Sequence, residues 1–417
     1  MIKPIAIYLP QYHPIPENDA AWGEGFTEWT NVKKAKPLFE GHYQPHIPHE
    51  DVGYYDLRDP EVLVKQAAMA KEHGIYGFAF YHYWFNGKRL LNLPLDNMLK
   101  LGKPDFPFCY IWANEPWSRR WDGSEHEIIQ EQTHSFEDDL NHIRFLCENV
   151  FSDQRYIRID GKPMFIVYRT ELFPDIKQTA QIWREEVRRY GFKDLYLIRV
   201  ESHLKGINPL EIDFDASLDF PDFSMCTSQI IHEGGWTTME YEQSIIKSIL
   251  DANQSFLKFR IVFPCWDNTP RRKQKGIMFI NDNIGLFEFA LREAIDDTKQ
   301  KFASTQQFIF INAWNEWGEG CHIEPDKKNG YGYLKTIFNV LNDETMQDPI
   351  GYLGFLKNNF KIIKIIVESH NNLQKETNIQ KKELNILRAM ANSRRHRLVE
   401  RLFMIYLKLR KCLKFQS

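Results

Sequence analysis

Residues 308–326 read Phe-Ile-Phe-Ile-Asn-Ala-Trp-Asn-Glu-Trp-Gly-Glu-Gly-Cys-His-Ile-Glu-Pro-Asp. An apolar, aromatic run typical of a buried strand leads, without a polar linker, into the acids Glu316 and Glu319. Strand side chains alternate, so these acids would face opposite sides, but Gly318 and Gly320 allow the backbone to turn. We therefore predict a buried strand that ends in a reactive loop, with Glu316 and Glu319 as catalytic candidates.

The same strand type recurs along the chain, and helical periodicity intervenes. Strands are predicted at 5–9, 76–83, 108–112, 164–168, 195–200, 214–218, 260–263 and 308–311. Helices are predicted at 60–73, 95–101, 136–151, 175–190, 240–253, 286–302 and 333–341, and the link between the fifth and sixth strands is the least helical. Eight strands alternating with helices predict an α/β fold, a (β/α)8 TIM barrel over residues 1–343 with long loops. A doubly wound open sheet is the alternative.

Barrel enzymes carry their chemistry where the strands end at the carboxyl face. The residues that follow the predicted strands are rich in Trp, Tyr, Asn and acids: Gln11, Tyr12, His13, His82, Tyr83, Trp84, Ala113, Asn114, Glu115, Arg169, Glu201, Asp219, Asp222, Trp266, Asp267, Asn315 and Glu316. This enrichment predicts a site at that face.

Composition narrows the class of protein. The chain has 417 residues, of which 43% are hydrophobic, enough for a sizeable core. Six scattered cysteines without a Cys-x-x-Cys pair predict neither disulfides nor a zinc knuckle. The start of the chain lacks the long apolar run of a signal peptide, so we expect a cytoplasmic protein.

The C-terminal end differs in charge from the rest. Residues 357–417 contain 15 Lys and Arg against four Asp and Glu, a net of +11, which leaves −14 for the remainder of a chain at −3. Apolar residues from Leu398 to Leu413 share one helical stripe. We predict a basic amphipathic extension over 344–417 that rests on an anionic membrane surface, at the inner membrane, or else docks on the barrel or on a second copy.

Other motifs give little support to other chemistry. The Asp213-Phe-Asp215 run falls inside a predicted strand, where alternation explains it. His42, His46 and His49 are separated by prolines, so contacts to ligand or backbone are favoured over a metal site. The chain has no Gly-x-Gly-x-x-Gly after its first strand and no Gly-Lys-Ser/Thr loop. We therefore expect no metal, cofactor or nucleic acid, and the oligomeric state stays open.

Paired acids at a mouth lined with Trp and Tyr fit glycosidic chemistry. One carboxyl group handles the leaving oxygen as an acid, and the other assists at the sugar. Aromatic faces stack on sugar rings, and Asn114, Asn315 and Asp267 are suited to bind hydroxyls.

Several long motifs resemble those of the WbsX family: Tyr-Leu-Pro-Gln-Tyr-His at 8–13, Trp-Gly-Glu-Gly-Phe-Thr-Glu-Trp-Thr-Asn-Val at 22–32, Tyr-His-Tyr-Trp-Phe at 81–85, Trp-Ala-Asn-Glu at 112–115, and Trp-Asn-Glu-Trp-Gly-Glu-Gly at 314–320. The resemblance spans residues 5–341. It implies a glycosyltransferase of bacterial lipopolysaccharide and O-antigen biosynthesis with a glycan or sugar donor as substrate. Predicted substrate-binding residues are Gln11, Tyr12, His13, Trp29, Tyr81, His82, Trp84, Trp112, Asn114, Glu115, Trp266, Asp267, Trp314, Asn315 and Trp317.

The WbsX family is in turn similar to glycoside hydrolase family 99, the endo-acting α-mannosidases on (β/α)8 barrels. Their motif Asn-Glu-Trp-His-Glu-Gly aligns with residues 315–320. The resemblance implies that Glu316 is the base that deprotonates the sugar 2-hydroxyl and that Glu319 is the acid/base at the glycosidic oxygen. This chain has Gly318 where those hydrolases have His. Transfer, hydrolysis and a catalytically silent glycan-binding barrel stay open as functions.

Overall fold

The structure is a computed structural model that describes residues 1–119, 124–221, 229–251 and 254–342. The predicted extension at 344–417 and Asp222 lie outside the described residues. The domain boundary at residue 343 therefore stays a prediction.

Eight parallel strands close into a barrel. They are β1 (Lys3–Tyr8), β2 (Gly77–Phe85), β3 (Phe108–Trp112), β4 (Lys162–Val167), β5 (Tyr196–Val200), β6 (Ala216–Leu218), β7 (Lys258–Val262) and β8 (Phe308–Ile311). Each strand pairs with the next, and Ile5 in β1 pairs both with Gly77 in β2 and with Phe310 in β8. Because β8 returns to β1, the (β/α)8 barrel is confirmed and the open sheet is excluded.

Ten α-helices lie in the described part of the chain: α1 (Pro16–Trp22), α2 (Glu28–Lys34), α3 (Pro60–Glu72), α4 (Leu93–Leu101), α5 (Phe136–Asn149), α6 (Ile176–Arg189), α7 (Tyr241–Leu250), α8 (Thr269–Arg272), α9 (Ile284–Lys301) and α10 (Gly332–Leu341). All seven predicted helices are among them. Side-chain caps begin α3, α5, α6 and α9, where Asp59, Ser135, Asp175 and Asn283 accept hydrogen bonds from backbone N–H groups of the first turn. Between β5 and β6 the described chain has a single 3-10 turn, Pro209–Ile212.

Short strands outside the barrel belong to its loops: Lys88–Leu90, Trp117–Arg119, Ser124–Gln130, Arg158–Ile159, Ile230–Ile231, Thr237–Glu240, Ile277–Ile280, Asn315–Glu316 and Cys321–His322. Helices α1 and α2, which the sequence pattern does not predict, lie in the long loop after β1. Helix α8 lies in the loop after β7. These loops cover the carboxyl end of the barrel and carry residues of the site.

The core follows from the closed sheet. All nine residues of β2 are buried, because barrel strands are covered on one side by the barrel interior and on the other by helices. Within the described ranges, no helix is both long and apolar enough to cross a membrane.

Candidate active site

The loop after β8 turns tightly and presents both acids. Asn315–Glu316 pairs with Cys321–His322 in a short antiparallel hairpin, and the residues between them form a 3-10 turn. Gly320 has a φ of +58°, a conformation that favours glycine, so the chain can reverse immediately after Glu319. The predicted turn therefore exists, and it places Glu316 and Glu319 at one mouth.

Arg271 in α8 joins the two acids. Its Nη2 donates to Glu316 Oε2 at 2.7 Å and its Nη1 donates to Glu319 Oε1 at 2.5 Å. Its Nε donates to Glu28 Oε1 at 2.7 Å, and Glu28 at the start of α2 is fully buried. One guanidinium from the loop after β7 thus bridges three carboxylates, one from the loop after β1 and two from the loop after β8. Neither Arg271 nor Glu28 is among the predicted site residues. The signal in the sequence for Arg271 is its place in the loop after β7, close behind Asp267.

Burial is the largest influence on the pKa values of Glu316 and Glu319. It raises the pKa of Glu319 to about 8, although Arg271 opposes this shift. Burial also raises the pKa of Glu316, and Arg271 again opposes it. Burial lowers the pKa of Arg271, but the surrounding carboxylates outweigh it and hold this pKa well above its usual range. At neutral pH the geometry therefore favours a protonated Glu319 beside a permanent cation.

The space around Gly318 leaves no room for a side chain. A Cβ at this position would lie 1.6 Å from Glu28 Oε1 and 2.8 Å from Arg271 Nε. The Glu28–Arg271 pair thus occupies the space that a side chain at position 318 would take. A histidine at position 318, as in the Asn-Glu-Trp-His-Glu-Gly motif, would clash with this ion pair in the geometry observed here.

An open pocket of about 230 Å³ is lined by Glu316 and by Arg271, the residue that joins Glu316 to Glu319. Of the predicted substrate-binding residues, Gln11, Tyr81 and Glu115 line it together with Glu316. The pocket is also lined by residues outside the predicted set, among them Leu9, Asn18, Trp22, Tyr83, Trp117, Tyr168 and Arg271. Burial raises the pKa of Tyr81, Tyr83 and Tyr168, so their hydroxyl groups stay protonated and can donate hydrogen bonds.

Other predicted substrate-binding residues point away from this pocket, because side chains alternate along a strand. His82 Nε2 lies 2.9 Å from His142 Nε2 in α5, and Trp84 Nε1 donates to Asp138 in the same helix. Trp112 is fully buried and has its ring centroid 4.4 Å from that of His142. The structure therefore places His82, Trp84 and Trp112 against the helix layer, while Tyr81 and Tyr83 face the pocket.

Two predicted asparagines bind backbone. Asn114 Nδ2 donates to Arg169 O and its Oδ1 accepts from Arg169 N, both at 2.8 Å. Asn315 bonds the N–H and C=O of Leu9 in the same way, at 2.8 and 3.0 Å. Both side chains are fully buried and tie neighbouring strand ends together, which positions the loops of the site. Glu115 pairs with Arg169 at the pocket wall.

The predicted aromatic residues behind the acids form a buried support. Tyr12 donates to Asn315 O, and its ring lies 4.8 Å from that of Trp29 between centroids. Trp314 and Trp317 are fully buried and donate from Nε1 to Glu324 at 2.9 and 2.7 Å. His13 is also buried.

Glu324 is a further residue of the site that is not among the predicted ones. Besides the two indoles, it accepts from Tyr55 Oη at 3.0 Å and from Gln66 Nε2 at 2.6 Å. Burial raises its pKa to about 7 against these four hydrogen bonds. Its contacts join the loop after β8 to α3 and to the loop after β1, so it stabilises the acid-bearing loop from behind.

Trp266 and Asp267 lie in a neighbouring pocket of about 260 Å³. Asp267 Oδ2 accepts from Gln44 Nε2 at 2.6 Å and lies 2.7 Å from His42 Nε2. Its N–H donates to Glu319 O at 2.6 Å. Asp267 therefore touches the acid-bearing loop through backbone while its carboxylate faces the second pocket.

The fold and site define a (β/α)8 barrel with two acids joined by one arginine at its carboxyl end, and solved structures share this fold. The family 99 endo-α-mannosidase from Bacteroides thetaiotaomicron matches with a TM-score of 0.50 in two structures, at 16% and 19% sequence identity. The matches cover 82% of this chain and 96% and 97% of those chains. At this identity the likeness shows the fold.

The chain belongs to the family described as glycosyltransferase WbsX, whose model matches residues 4–337. By that description the family is one of carbohydrate-active enzymes. The uncharacterized protein WxcX from two strains of Xanthomonas campestris pv. campestris is 38% identical over 344 residues. The match covers 81% of this chain and 49% of each relative, so the chain spans about half the length of the curated relatives it matches. These findings confirm the family predicted from the motifs.

Proposed function

We propose that the chain cleaves and re-forms a glycosidic bond with net retention, transferring a glycosyl unit from a glycan donor during assembly of bacterial surface polysaccharide such as lipopolysaccharide O-antigen. The observation that carries this proposal is that one guanidinium joins Glu316, which is buried, to Glu319, which is partly exposed. The WbsX family description supports the transfer, and the motif resemblance supports the pathway.

The two acids are suited to different halves of one mechanism. In the first half, Glu316 takes the proton of the sugar 2-hydroxyl, whose oxygen attacks the anomeric carbon. The bond to the leaving oxygen breaks as Glu319 donates its proton to that oxygen. In the second half, Glu319 takes a proton from the acceptor hydroxyl, whose oxygen attacks the anomeric carbon. The bond between that carbon and the 2-oxygen breaks, and Glu316 returns the proton to the 2-oxygen.

The protonation of the site supports these roles. A general acid must hold its proton at working pH, and burial raises the pKa of Glu319 to about 8. A base must be ionised, and Arg271 stabilises the anion of Glu316 through a 2.7 Å ion pair. Two neighbouring acids that repel each other favour a state with one proton between them.

The charge of the pocket supports a glycan donor. Arg271 is the cation among the described residues that line the pocket, and it is already paired with three carboxylates. A diphosphate would meet Glu115 and Glu316 there, which disfavours a nucleotide-sugar bound in this pocket. Hydrolysis is the second candidate, because water can replace the acceptor hydroxyl in the same second half.

The test compares the wild-type chain with Glu316→Gln and Glu319→Gln on a panel of bacterial polysaccharides and nucleotide-sugars. Glu50→Gln, at an exposed acid of the loop after β1, is the matched control. We expect elongated glycans from the wild type and the control, losses of at least a hundredfold in both site variants, and retention of configuration by ¹H NMR.

Each contrary result has its own meaning. New reducing ends without elongation would establish hydrolysis. Inversion of configuration would contradict participation of the 2-hydroxyl. Glycans that bind yet stay unchanged with the wild type and every variant would establish a binding barrel. We further propose that the chain works in the cytoplasm, where we expect the activity to fractionate.

A further inference from the structure

A second cluster of reactive side chains lies beside the acid-bearing loop. In the part of the chain that the structure describes, His46, His322 and Asp326 form a group whose possible metal-binding atoms all lie within 4.8 Å of one another. His46 comes from the loop after β1, and the other two come from the loop after β8. All three are buried, and His46 Nδ1 lies 2.9 Å from His322 Nε2.

The surroundings of His322 set its tautomer. Its Nδ1 lies 3.0 Å from the backbone oxygen of Glu324, which can only accept a hydrogen bond. The proton is therefore on Nδ1, and the lone pair of Nε2 faces His46. A ring nitrogen that donates to a backbone carbonyl while the other nitrogen offers its lone pair is the usual arrangement of a metal-bound histidine.

The carboxylate of the cluster is also oriented. Asp326 Oδ1 accepts from Asn329 N at 2.5 Å, and Asp326 is 2% exposed. An oriented, buried carboxylate beside two imidazoles is costly to leave without a cation, and supporting hydrogen bonds of this kind accompany metal ligands.

The adjoining pocket offers entry and favours a cation. The 260 Å³ pocket is lined by all three residues of the cluster. The charged residues of its wall are Glu40, Asp267, Asp282, Asp326 and Lys328, so acids outnumber the single lysine. His42 lines the same pocket and is hydrogen-bonded to Asp267.

We propose that His46 Nδ1, His322 Nε2 and the Asp326 carboxylate bind a divalent transition-metal ion of the zinc class, with a fourth position open to the pocket. Two imidazoles and one carboxylate suit zinc, whereas calcium and magnesium prefer oxygen ligands alone. Two Zn–N bonds of about 2.0–2.1 Å at a tetrahedral angle place the nitrogens roughly 3.3 Å apart, so the nitrogens need to separate by about 0.4 Å. The proton that His46 Nδ1 donates to His322 Nε2 would move to His46 Nε2, and both ring nitrogens would turn their lone pairs toward the ion.

The ion would act on the acid-bearing loop through His322. The ring of His322 stacks on that of Trp317 with centroids 3.6 Å apart, and Trp317 lies between Glu316 and Glu319 in the sequence. A metal that joins His322 to His46 therefore fastens the loop after β8 to the loop after β1. This role is one of positioning, and it does not depend on the reaction proposed for the acids.

The first test measures zinc binding to the full chain, which carries no affinity tag. Bound metal is first removed with EDTA, and the protein is then titrated with ZnCl₂ in a calorimeter. His322→Gln and Asp326→Asn remove ligands, and His49→Gln removes a nearby histidine of the same loop as His46. We expect one zinc ion per chain for the wild type and for His49→Gln, and at least tenfold weaker binding for both ligand variants. Absence of saturable 1:1 binding, or equal binding by the variants, would overturn the proposal.

A second measurement needs no variant and is independent of folding defects. Cobalt(II) added to the stripped wild-type chain should give a saturable visible absorption band of a four- or five-coordinate ion, which zinc displaces. A thiolate charge-transfer band would assign the ion to a cysteine instead, and no saturable band would mean no site. Either result would refute the assignment to His46, His322 and Asp326.

Discussion

Replacing Arg271 with methionine keeps most of the apolar stem and removes the charge that joins three carboxylates. In the native site the guanidinium lies 2.7 Å from Glu28, 2.7 Å from Glu316 and 2.5 Å from Glu319. Without it, Glu28 and Glu316 stay buried and lose the guanidinium that contacts them. We expect a destabilised chain in which Glu316 and Glu319 take up protons to avoid uncompensated charge.

The size of the effect follows from the burial of the pairs. Breaking a buried ion pair by removing one partner costs about 3–5 kcal/mol. An unfolding entropy of about 2.1 cal/mol/K per residue gives roughly 0.7 kcal/mol/K for the described body, so Tm should fall by about 4–7 °C. Loss of Arg271 also raises the acids' pKa values further, because its charge opposes the shift that burial causes.

This shift fixes the sign of the pH dependence. An acid whose pKa is raised in the folded state stabilises the fold fully below its unfolded pKa, and this contribution is lost as pH rises through the folded pKa. For Glu319 the window runs from its ordinary value up to about pH 8 in the native chain and higher in the variant. The Tm deficit of Arg271→Met should therefore be larger at pH 8 than at pH 5.

Differential scanning calorimetry at both pH values measures these quantities. The matched control is Arg58→Met, because Arg58 pairs with Asp56 in a largely exposed ion pair and should change Tm little. Equal Tm deficits for Arg271→Met and Arg58→Met, or a deficit for Arg271→Met that does not depend on pH, would refute the view that buried charge governs this site.

Three further predictions concern other parts of the molecule. Gly318→Ala should lower the free energy of unfolding by about 1–3 kcal/mol in chemical denaturation, since its Cβ would meet Glu28 Oε1 at 1.6 Å. The loss should be smaller in a Glu28→Ala background, and an equal loss in both backgrounds would contradict the clash. Glu324→Gln should lower stability by about 1–3 kcal/mol, because an amide cannot accept all four donors, and an unchanged denaturation midpoint would show that these bonds contribute nothing. We propose that the basic residues 394–417 bind anionic membranes, so their deletion should reduce sedimentation with anionic liposomes; equal sedimentation of both forms would remove this proposal.

The local sequence pattern predicted those features of the protein that depend on a single strand or a single turn. The eight strands are mostly apolar runs of three to nine residues bounded by polar loops, and predicted ranges 108–112 and 308–311 coincide with β3 and β8. Glu316 and Glu319 are three residues apart, so their meeting needs only a glycine-containing turn. Alternation also separates Tyr81 and Tyr83 from His82 and Trp84, but both faces of a barrel strand are apolar, so the pattern cannot tell which face meets the pocket.

The order of strands and helices predicted a (β/α)8 barrel, and short motifs predicted the WbsX family and the two candidate acids, because these patterns lie in residues that are close together in the chain. The closure of the barrel, which excludes the open sheet, and the electrostatics of the site depend on contacts between distant residues. Glu28 and Arg271 are 243 positions apart, and His46 and His322 are 276 apart. Such contacts form when loops from different strands converge at the barrel mouth, and no local periodicity records which side chains then meet.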